Sequence, residues 1–225
     1  MIEFENVGFS YGKAAILEDA NLAIAPGSFH FLVGPSGAGK TTFLRLCYLD
    51  LVPTTGHVRF FGRRISARDR DAIADLRRAV GVVHQDCQFI DHLPLIENIA
   101  LPLQVSGVEM RERADDLTAL LEWVDLTDRI DALPSELSGG ERQRAAVARA
   151  VILSPEMILA DEPTGNIDWD MSMRLLTLLV ELNRMGKTVL IATHDLNLIR
   201  AAKARVQARV LRLSEGRILP AGADL

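Results

Sequence analysis

The alternation of apolar and polar residues predicts a series of short strands. The segment "IEFENVGF" alternates as a half-buried strand does, whereas "MILA" and "TVLIA" are continuously apolar, as in strands buried on both faces. Turn residues such as Pro26 and Gly27 separate the candidates. The predicted strands cover residues 2–9, 20–27, 28–34, 57–62, 79–85, 156–162, 187–195 and 208–216.

Helical spacing of apolar residues adjoins these strands. One helix begins within "GKTTFLRLCYL", and residues 168–186 have helical spacing that ends at Gly186, a residue favoured after the last helical turn. Strands that alternate with helices predict a parallel sheet covered by helices, and thus an α/β fold. Residues 90–135 are mainly helical in pattern, which predicts a helical subdomain between two sheet-forming halves.

Composition limits the classes of function. The chain has 225 residues, a formal net charge of −5 and a pI near 5.6, which argues against nucleic acid as the main partner. No segment has the uncharged length of a transmembrane helix, and the N-terminus does not resemble a signal peptide. We expect Cys47 and Cys87 to be reduced core residues of an intracellular protein, with a disulfide as the alternative.

The segment "GPSGAGKTT" carries the clearest chemical signal. It follows a predicted strand, precedes a predicted helix and fits the phosphate-binding loop pattern, in which glycines let backbone N–H groups surround a phosphate. Lys40 would reach the β- and γ-phosphates, and Thr41 would bind Mg²⁺. The alternative is a glycine-rich turn with an incidental lysine. The loop residues predicted to bind nucleotide are Gly34, Pro35, Ser36, Gly37, Ala38, Gly39, Lys40, Thr41 and Thr42.

Two carboxylates end the apolar strand "MILADE". Asp161 stands where parallel-sheet proteins place ligand-binding groups, and it is the candidate for the Mg²⁺ shell. Glu162 is the candidate to orient and polarise the attacking water. Taken alone, the pair could be a polar strand end leading into a turn at Pro163. Beside a phosphate loop, the catalytic interpretation is favoured, because phosphoryl transfer needs both functions.

The segment "LSGGERQR" predicts a helix start of unusual composition. Ser138 and Glu141 have the spacing of a capping box, but two glycines lie between them, and glycine destabilises a helix by about 1 kcal/mol relative to alanine. Gly139 and Gly140 would let the backbone approach a γ-phosphate, whose charge the helix dipole favours. Capping and phosphate contact are compatible with each other.

In their order and spacing, "GPSGAGKT", "LSGGERQR" and "MILADE" resemble the Walker A, signature and Walker B motifs of ABC-type ATPase domains, and the resemblance covers essentially the whole chain. It implies an ATP hydrolase with a mainly parallel P-loop sheet core, an antiparallel β part and a helical subdomain. The implied arrangement is one domain over residues 1–225, with a catalytic core of 1–89 and 136–225. The helical subdomain, about 90–135, would continue into the signature helix.

The same resemblance assigns further residues. Tyr11 would stack on adenine, Gln85 would contact Mg²⁺ and water, and His194 would contact the γ-phosphate. The alternatives are an exposed tyrosine at a strand end and a structural histidine. Asp168, in the segment "GNID", would cross a dimer interface. ATP binding would form a homodimer in which Ser138, Gly139, Gly140 and Glu141 act on the ATP of the other subunit.

Within the family, "LADEPTGN" and "ATHDLNLI" closely resemble bacterial cell-division ATPases. This implies an FtsX-like integral membrane subunit with four helices, further division proteins as partners, and a place at the cytoplasmic face of the inner membrane. The complex would control septal cell-wall hydrolysis. The alternatives are a lipoprotein-releasing or small-solute transporter and a soluble ATPase. His84 and Ile167 depart from the usual residues of their motifs without removing a catalytic group.

Overall fold

The computed structural model of the protein describes residues 1–66, 68–165 and 167–221. In chain order, its strands are β1 (Ile2–Tyr11), β2 (Ala14–Ile24), β3 (Phe29–Val33), β4 (Thr55–Phe60), β5 (Arg63–Arg64), β6 (Val80–Val83), β7 (Met157–Asp161), β8 (Thr188–Ala192), β9 (Ala208–Ser214) and β10 (Arg217–Pro220). The α-helices are α1 (Lys40–Cys47), α2 (Arg70–Arg78), α3 (Leu95–Val105), α4 (Ala114–Trp123), α5 (Gly139–Val151), α6 (Trp169–Arg184) and α7 (Leu196–Lys203).

The described strands form two sheets. The larger has the order β10-β9-β3-β8-β7-β6, in which β6, β7, β8, β3 and β9 are parallel and β10 is antiparallel to β9. The smaller is antiparallel, with the order β2-β1-β4-β5. The predicted fold class, α/β with a mainly parallel core and an antiparallel part, is confirmed.

Burial on both faces explains the apolar runs of the central strands. All residues of β7 and β8 are buried, as their sequences predict. Leu159 and Leu190 belong to the core that includes α1 and the antiparallel sheet, whereas Ile158 and Ile191 belong to the core that includes α6 and α7. Successive residues thus pack on opposite faces, which fixes the register of the strands.

The predicted helical character of residues 90–135 is observed. Helices α3 and α4 and three short 3₁₀ helices occupy this stretch, and they pack with α5 around a separate apolar cluster. A fully buried side chain fixes the entry to α3: Asn98 accepts a hydrogen bond from the Ile90 amide and donates to the carbonyls of Ile90 and Leu93. These hydrogen bonds fix the segment that connects β6 to α3.

Several elements were missed in the sequence. Helix α2 buries only Leu76 and five of its nine residues are charged, although Asp69 caps it by accepting the Ala72 amide. The predicted strand 187–195 ends at Ala192, and Asp195 caps α7. Strand β2 begins at Ala14, before the predicted residue 20, and the short strands β5 and β10 were also missed. The polar caps and short pairings of these elements give no periodic signal.

Cys47 and Cys87 are buried and free. Burial raises the pKa of the Cys87 thiol to about 11 and raises the pKa of Cys47 further. Both side chains pack in the apolar cores, as predicted. None of the helices in the described part of the chain combines the length and the apolar character that crossing a bilayer requires.

His30, in β3, makes the stability of the fold depend on pH. Burial, assisted by Arg209, lowers the pKa of His30 to about 4. Because the unfolded chain binds this proton with a pKa of about 6.5, the contribution of neutral His30 is complete above pH 6.5 and is lost as the pH falls toward 4. From pH 7 to pH 5, the wild type should lose about 2 kcal/mol more unfolding free energy than His30→Gln. Urea unfolding at both pH values tests this, and equal losses would contradict it.

Candidate active site

The phosphate loop connects β3 to α1, as predicted. Gly37 and Gly39 have φ values of 76° and 102°, in the left-handed region that glycine adopts without strain. Gly34 lies against β9, where an added Cβ would be 2.5 Å from the Leu213 carbonyl oxygen. The loop therefore requires glycine for backbone conformation at two positions and for close packing at a third.

Lys40, the first residue of α1, is buried at the mouth of the loop. Its Nζ donates hydrogen bonds to the carbonyl oxygens of Gly34 at 3.0 Å and Pro35 at 3.4 Å. The same ammonium lies 3.5 Å from Glu162 Oε1. One cation thus connects the phosphate loop to the carboxylate that follows β7.

Asp161 is the last residue of β7, and its side chain faces the loop. The residue is only 8% exposed, and Oδ1 has no hydrogen-bond partner among the described residues. Burial raises the pKa of the Asp161 carboxyl, although a hydrogen bond with the Thr41 side chain lowers it in part. A buried carboxylate oxygen without a partner, next to a threonine hydroxyl, is a donor set that suits a hard cation such as Mg²⁺.

Glu162 has an unusual backbone conformation that directs its side chain into the site. Its φ of 44° is uncommon for a residue other than glycine. The Glu162 amide donates to the Ala192 carbonyl at 2.8 Å and so continues the pairing of β7 with β8. Oε1 lies 3.0 Å from His194 Nδ1 and 3.5 Å from Lys40 Nζ. The carboxylate is therefore shared between a lysine of α1 and a histidine in the segment between β8 and α7.

These groups surround a cleft of about 630 Å³. His194 stands at its rim with 73% of its side chain exposed. The cleft lining consists of Ser36, Gly37, Gly39, Lys40, Thr41, Thr42, Gln85, Asp161, Glu162, Gly165 and His194. All of these except Gly165 were predicted site residues. Gly165 was missed because its position depends on the turn after β7, in which its amide donates to the Glu162 carbonyl at 3.1 Å.

Other predicted residues lie outside the cleft lining. Tyr11 is 47% exposed and packs edge-on against Phe9, with 4.8 Å between ring centroids. Ala38 closes the phosphate loop by donating its amide to the Pro35 carbonyl at 3.2 Å. Asp168 caps α6 by accepting the Met171 amide at 2.9 Å. Asn166, which belongs to the same motif as Asp168, is outside the described residues.

The capping box at the start of α5 is confirmed. Ser138 Oγ accepts the Glu141 amide at 3.2 Å, and Glu141 Oε2 accepts the Ser138 amide at 2.7 Å. Gly140 is buried, and an added Cβ would lie 3.1 Å from Met171 Cγ. Close packing of α5 on α6 is therefore one reason for this glycine, and the sequence alone did not indicate it. The segment lies apart from the cleft lining of its own chain.

The half-buried His84 precedes Gln85 at the edge of the cleft. Burial lowers the pKa of His84, and the positive charge of Arg149 acts in the same direction. Nearby carboxylates, including Asp86, oppose this shift without reversing it.

A glycine-rich loop between a buried strand and a helix, with acidic residues after a neighbouring strand, defines a P-loop nucleoside triphosphatase site. The sequence model described as ABC transporter matches residues 17–165, and the chain belongs to this family. It is an ATP hydrolase of the ABC type.

Its relatives include proteins named cell division ATP-binding protein FtsE. The chain is 42% identical to that of Haemophilus influenzae over 201 residues, with 88% of this chain and 92% of the relative covered. It is 40% identical to that of Escherichia coli K12 over 220 residues, with 97% of each covered. The protein of Bacillus subtilis is 36% identical over 209 residues, with 92% of each covered.

Solved structures of the ATP-binding cassette MJ0796 have the same fold. One, described as dimeric, has a TM-score of 0.86 and 34% sequence identity. Another, described as a dimeric post-hydrolysis state bound to ADP and Pi, has a TM-score of 0.85 and 32% identity. Each comparison covers 97% of this chain and 96% of the other.

The contact between Gly34 and β9 predicts a cost for the smallest side chain. Gly34→Ala places a methyl group against a backbone oxygen, so the loop must move; we expect a loss of about 1–3 kcal/mol in unfolding free energy together with weaker ATP binding. Gly165→Ala is the matched control for stability, since its added Cβ would be no closer than 3.5 Å to its neighbours. Because Gly165 lines the cleft, the ATP affinity of Gly34→Ala is compared with that of the wild type. Urea unfolding and ATP titration test this. Equal stability of the two variants would argue against the packing role of Gly34.

Proposed function

We propose that this chain is the ATPase subunit of a membrane complex in bacterial cell division, with an FtsX-like integral membrane partner. The observation that carries the proposal is the 40% identity to the Escherichia coli protein named cell division ATP-binding protein FtsE, across 97% of both chains. In this complex, ATP turnover controls septal cell-wall hydrolysis. The chain acts at the cytoplasmic face of the inner membrane as a peripheral subunit, and further division proteins join the complex.

The site supports a division of labour in ATP hydrolysis. Gly34, Pro35, Ser36, Gly37, Ala38, Gly39 and Thr42 form the phosphate loop and its helix start, and Tyr11 stacks on adenine. Lys40 holds the β- and γ-phosphates. Glu162 accepts a proton from the attacking water, and His194 orients the γ-phosphate. The distances of 3.0 Å and 3.5 Å from Glu162 Oε1 to His194 Nδ1 and Lys40 Nζ support a joint role for these three residues.

Thr41, Gln85 and Asp161 would hold Mg²⁺. The buried Asp161 oxygen without a partner supports this assignment, as does the place of all three residues in the cleft lining. When bound, the ion supplies positive charge that offsets the charge of the β- and γ-phosphates.

A homodimer completes the site. Ser138, Gly139, Gly140 and Glu141 lie apart from the cleft of their own chain, and the MJ0796 structures are described as dimeric. In the proposed dimer, the signature of one subunit contacts the ATP of the other, and Asp168 lies at the interface. We assign residues 1–89 and 136–225 to the catalytic core and about 90–135 to the helical subdomain, within a single domain of residues 1–225.

A transporter role is the second candidate. The matching family model is described as ABC transporter, and a lipoprotein-releasing or small-solute system would use the same ATPase site. The two functions differ in the membrane protein that the chain binds.

Glu162→Gln tests the catalytic and dimer assignments together. The amide keeps the size of the side chain but cannot accept the proton of water, so hydrolysis should fall by at least about 100-fold. ATP binding should persist, and dimer should accumulate with ATP and Mg²⁺, as measured by light scattering after gel filtration. Glu122→Gln, at an exposed position of α4, should behave as wild type. A Glu162→Gln variant that stays monomeric while the wild type turns over ATP would contradict the dimer scheme.

Affinity capture from native membranes tests the biological role. Tagged Glu162→Gln, held in ATP and Mg²⁺, should retain an FtsX-like protein with four membrane-spanning helices, identified by mass spectrometry. Tagged Lys40→Ala, which lacks the phosphate-binding ammonium, is the control for nucleotide-dependent recovery. Recovery of a lipoprotein-release subunit or a solute permease would overturn the division role and leave the ATPase assignment intact.

A further inference from the structure

Side chains of helix α5 bind the backbone of the loop that carries Gln85. We call residues 84–94, between β6 and α3, the Gln85 loop. Gln143 Nε2 donates to the Gln85 carbonyl at 3.2 Å. Arg149 Nη1 donates to the Gln88 carbonyl at 2.8 Å, and Arg149 Nη2 donates to the Cys87 carbonyl. Two side chains of one helix thus donate hydrogen bonds to three backbone carbonyl groups of the loop.

Two of the loop residues that α5 binds have a strained backbone. Cys87 and Gln88 have φ values of 60° and 48°, so two successive residues other than glycine are in the left-handed region. L-residues disfavour this conformation because Cβ approaches the following carbonyl oxygen, and it persists only where neighbouring groups hold it. The Arg149 hydrogen bonds end at the carbonyls of these two residues. They are therefore placed to hold the strained turn.

The guanidinium group of Arg149 makes a further contact with the same loop. Its central carbon lies 4.7 Å from the centroid of the Phe89 ring, within the range of a cation–π interaction. A planar fork that binds two carbonyls and stacks on a ring is specific to arginine, since lysine offers a single point charge. The contact set therefore predicts that lysine cannot replace Arg149.

We propose that Arg149 is a positioning residue for ATP hydrolysis, and that it acts by holding the Gln85 loop in its strained conformation. Gln85 lines the nucleotide cleft, whereas Arg149 lies at the opposite end of α5 from Ser138. One helix thus connects the signature segment to the loop that presents Gln85. The predicted effect of Arg149 on hydrolysis rests on the role that the proposed function gives to Gln85. The contact of Arg149 with the loop is independent of that role.

The test uses Arg149→Ala and Arg149→Lys, each alone and in combination with Gln88→Gly. Each Arg149 variant should lower kcat by at least about tenfold, because small displacements of a positioned group slow the reaction strongly. KM for ATP should change by less than about twofold, because Arg149 does not line the cleft. Hydrogen exchange of the amides in the Gln85 loop should become faster. Circular dichroism establishes that each variant is folded, and Arg200→Ala, an exposed arginine on α7, is the control with wild-type behaviour.

Gln88→Gly separates this role from general stabilisation. Glycine adopts a positive φ without strain, so the loop should need Arg149 less when residue 88 is glycine. Each double variant should therefore regain a substantial part of the kcat and exchange protection that its Arg149 variant loses. If Arg149→Ala does not fold, Arg149→Lys and its double variant give the same comparison.

Two outcomes have distinct meanings. Unchanged loop exchange in folded Arg149 variants, or losses that Gln88→Gly does not reduce, would overturn the proposal. Faster loop exchange that Gln88→Gly reverses, with kcat unchanged, would support the hold on the loop but overturn the role of Arg149 as a positioning residue for hydrolysis.

Discussion

The parallel pairing of β7, β8 and β3 is the constraint on which the site depends. Leu32 pairs with Ala192, and Ala192 pairs with Asp161, so the carboxyl ends of the three strands lie in one row. Backbone hydrogen bonds continue the row, from the Glu162 amide to Ala192 and from the Thr193 amide to Leu32. Because both faces of β7 and β8 are buried in different cores, a shift of register by one residue would exchange the side chains that the two cores receive. The hydrophobic core thus sets the distances between the chemical groups.

Glu162 follows this row and places its carboxylate beside Lys40 and His194. A residue in ordinary strand geometry would place its side chain on the alternate face of the sheet, but the positive φ of Glu162 turns the chain immediately after β7. Asp161 and Glu162 consequently serve different partners, Thr41 on one side and Lys40 with His194 on the other. The two adjacent carboxylates line the same cleft, but their closest side-chain partners differ, which is compatible with the separate functions proposed for them.

The predictability of each feature follows from the range of the interaction behind it. The buried strands and the phosphate loop were predicted correctly, because continuous apolar runs and glycine spacing are local properties of the sequence. The capping box of Ser138 and Glu141 was equally local. In contrast, two contacts join residues that are far apart in the chain: Gly140 with Met171, and Arg149 with the Gln85 loop. No periodic pattern in the sequence predicts them. Helix α2 was missed because it buries a single residue.

The hydrogen bonds of Ser138 are compatible with two roles for one serine, the capping of α5 and the proposed contact with a nucleotide. The Ser138 hydroxyl accepts the Glu141 amide, which uses a lone pair and leaves the hydroxyl proton available to donate. Glu141 accepts the Ser138 amide on Oε2 and the Nε of Arg129 on Oε1 at 2.9 Å, so each carboxylate oxygen has a donor and Arg129 offsets the negative charge. The start of α5 therefore has a donor hydroxyl, the positive end of the helix dipole and a neutralised carboxylate at one exposed point. These properties suit the proposed contact with the phosphate of an ATP held by a second subunit, since other residues line the cleft of the same chain.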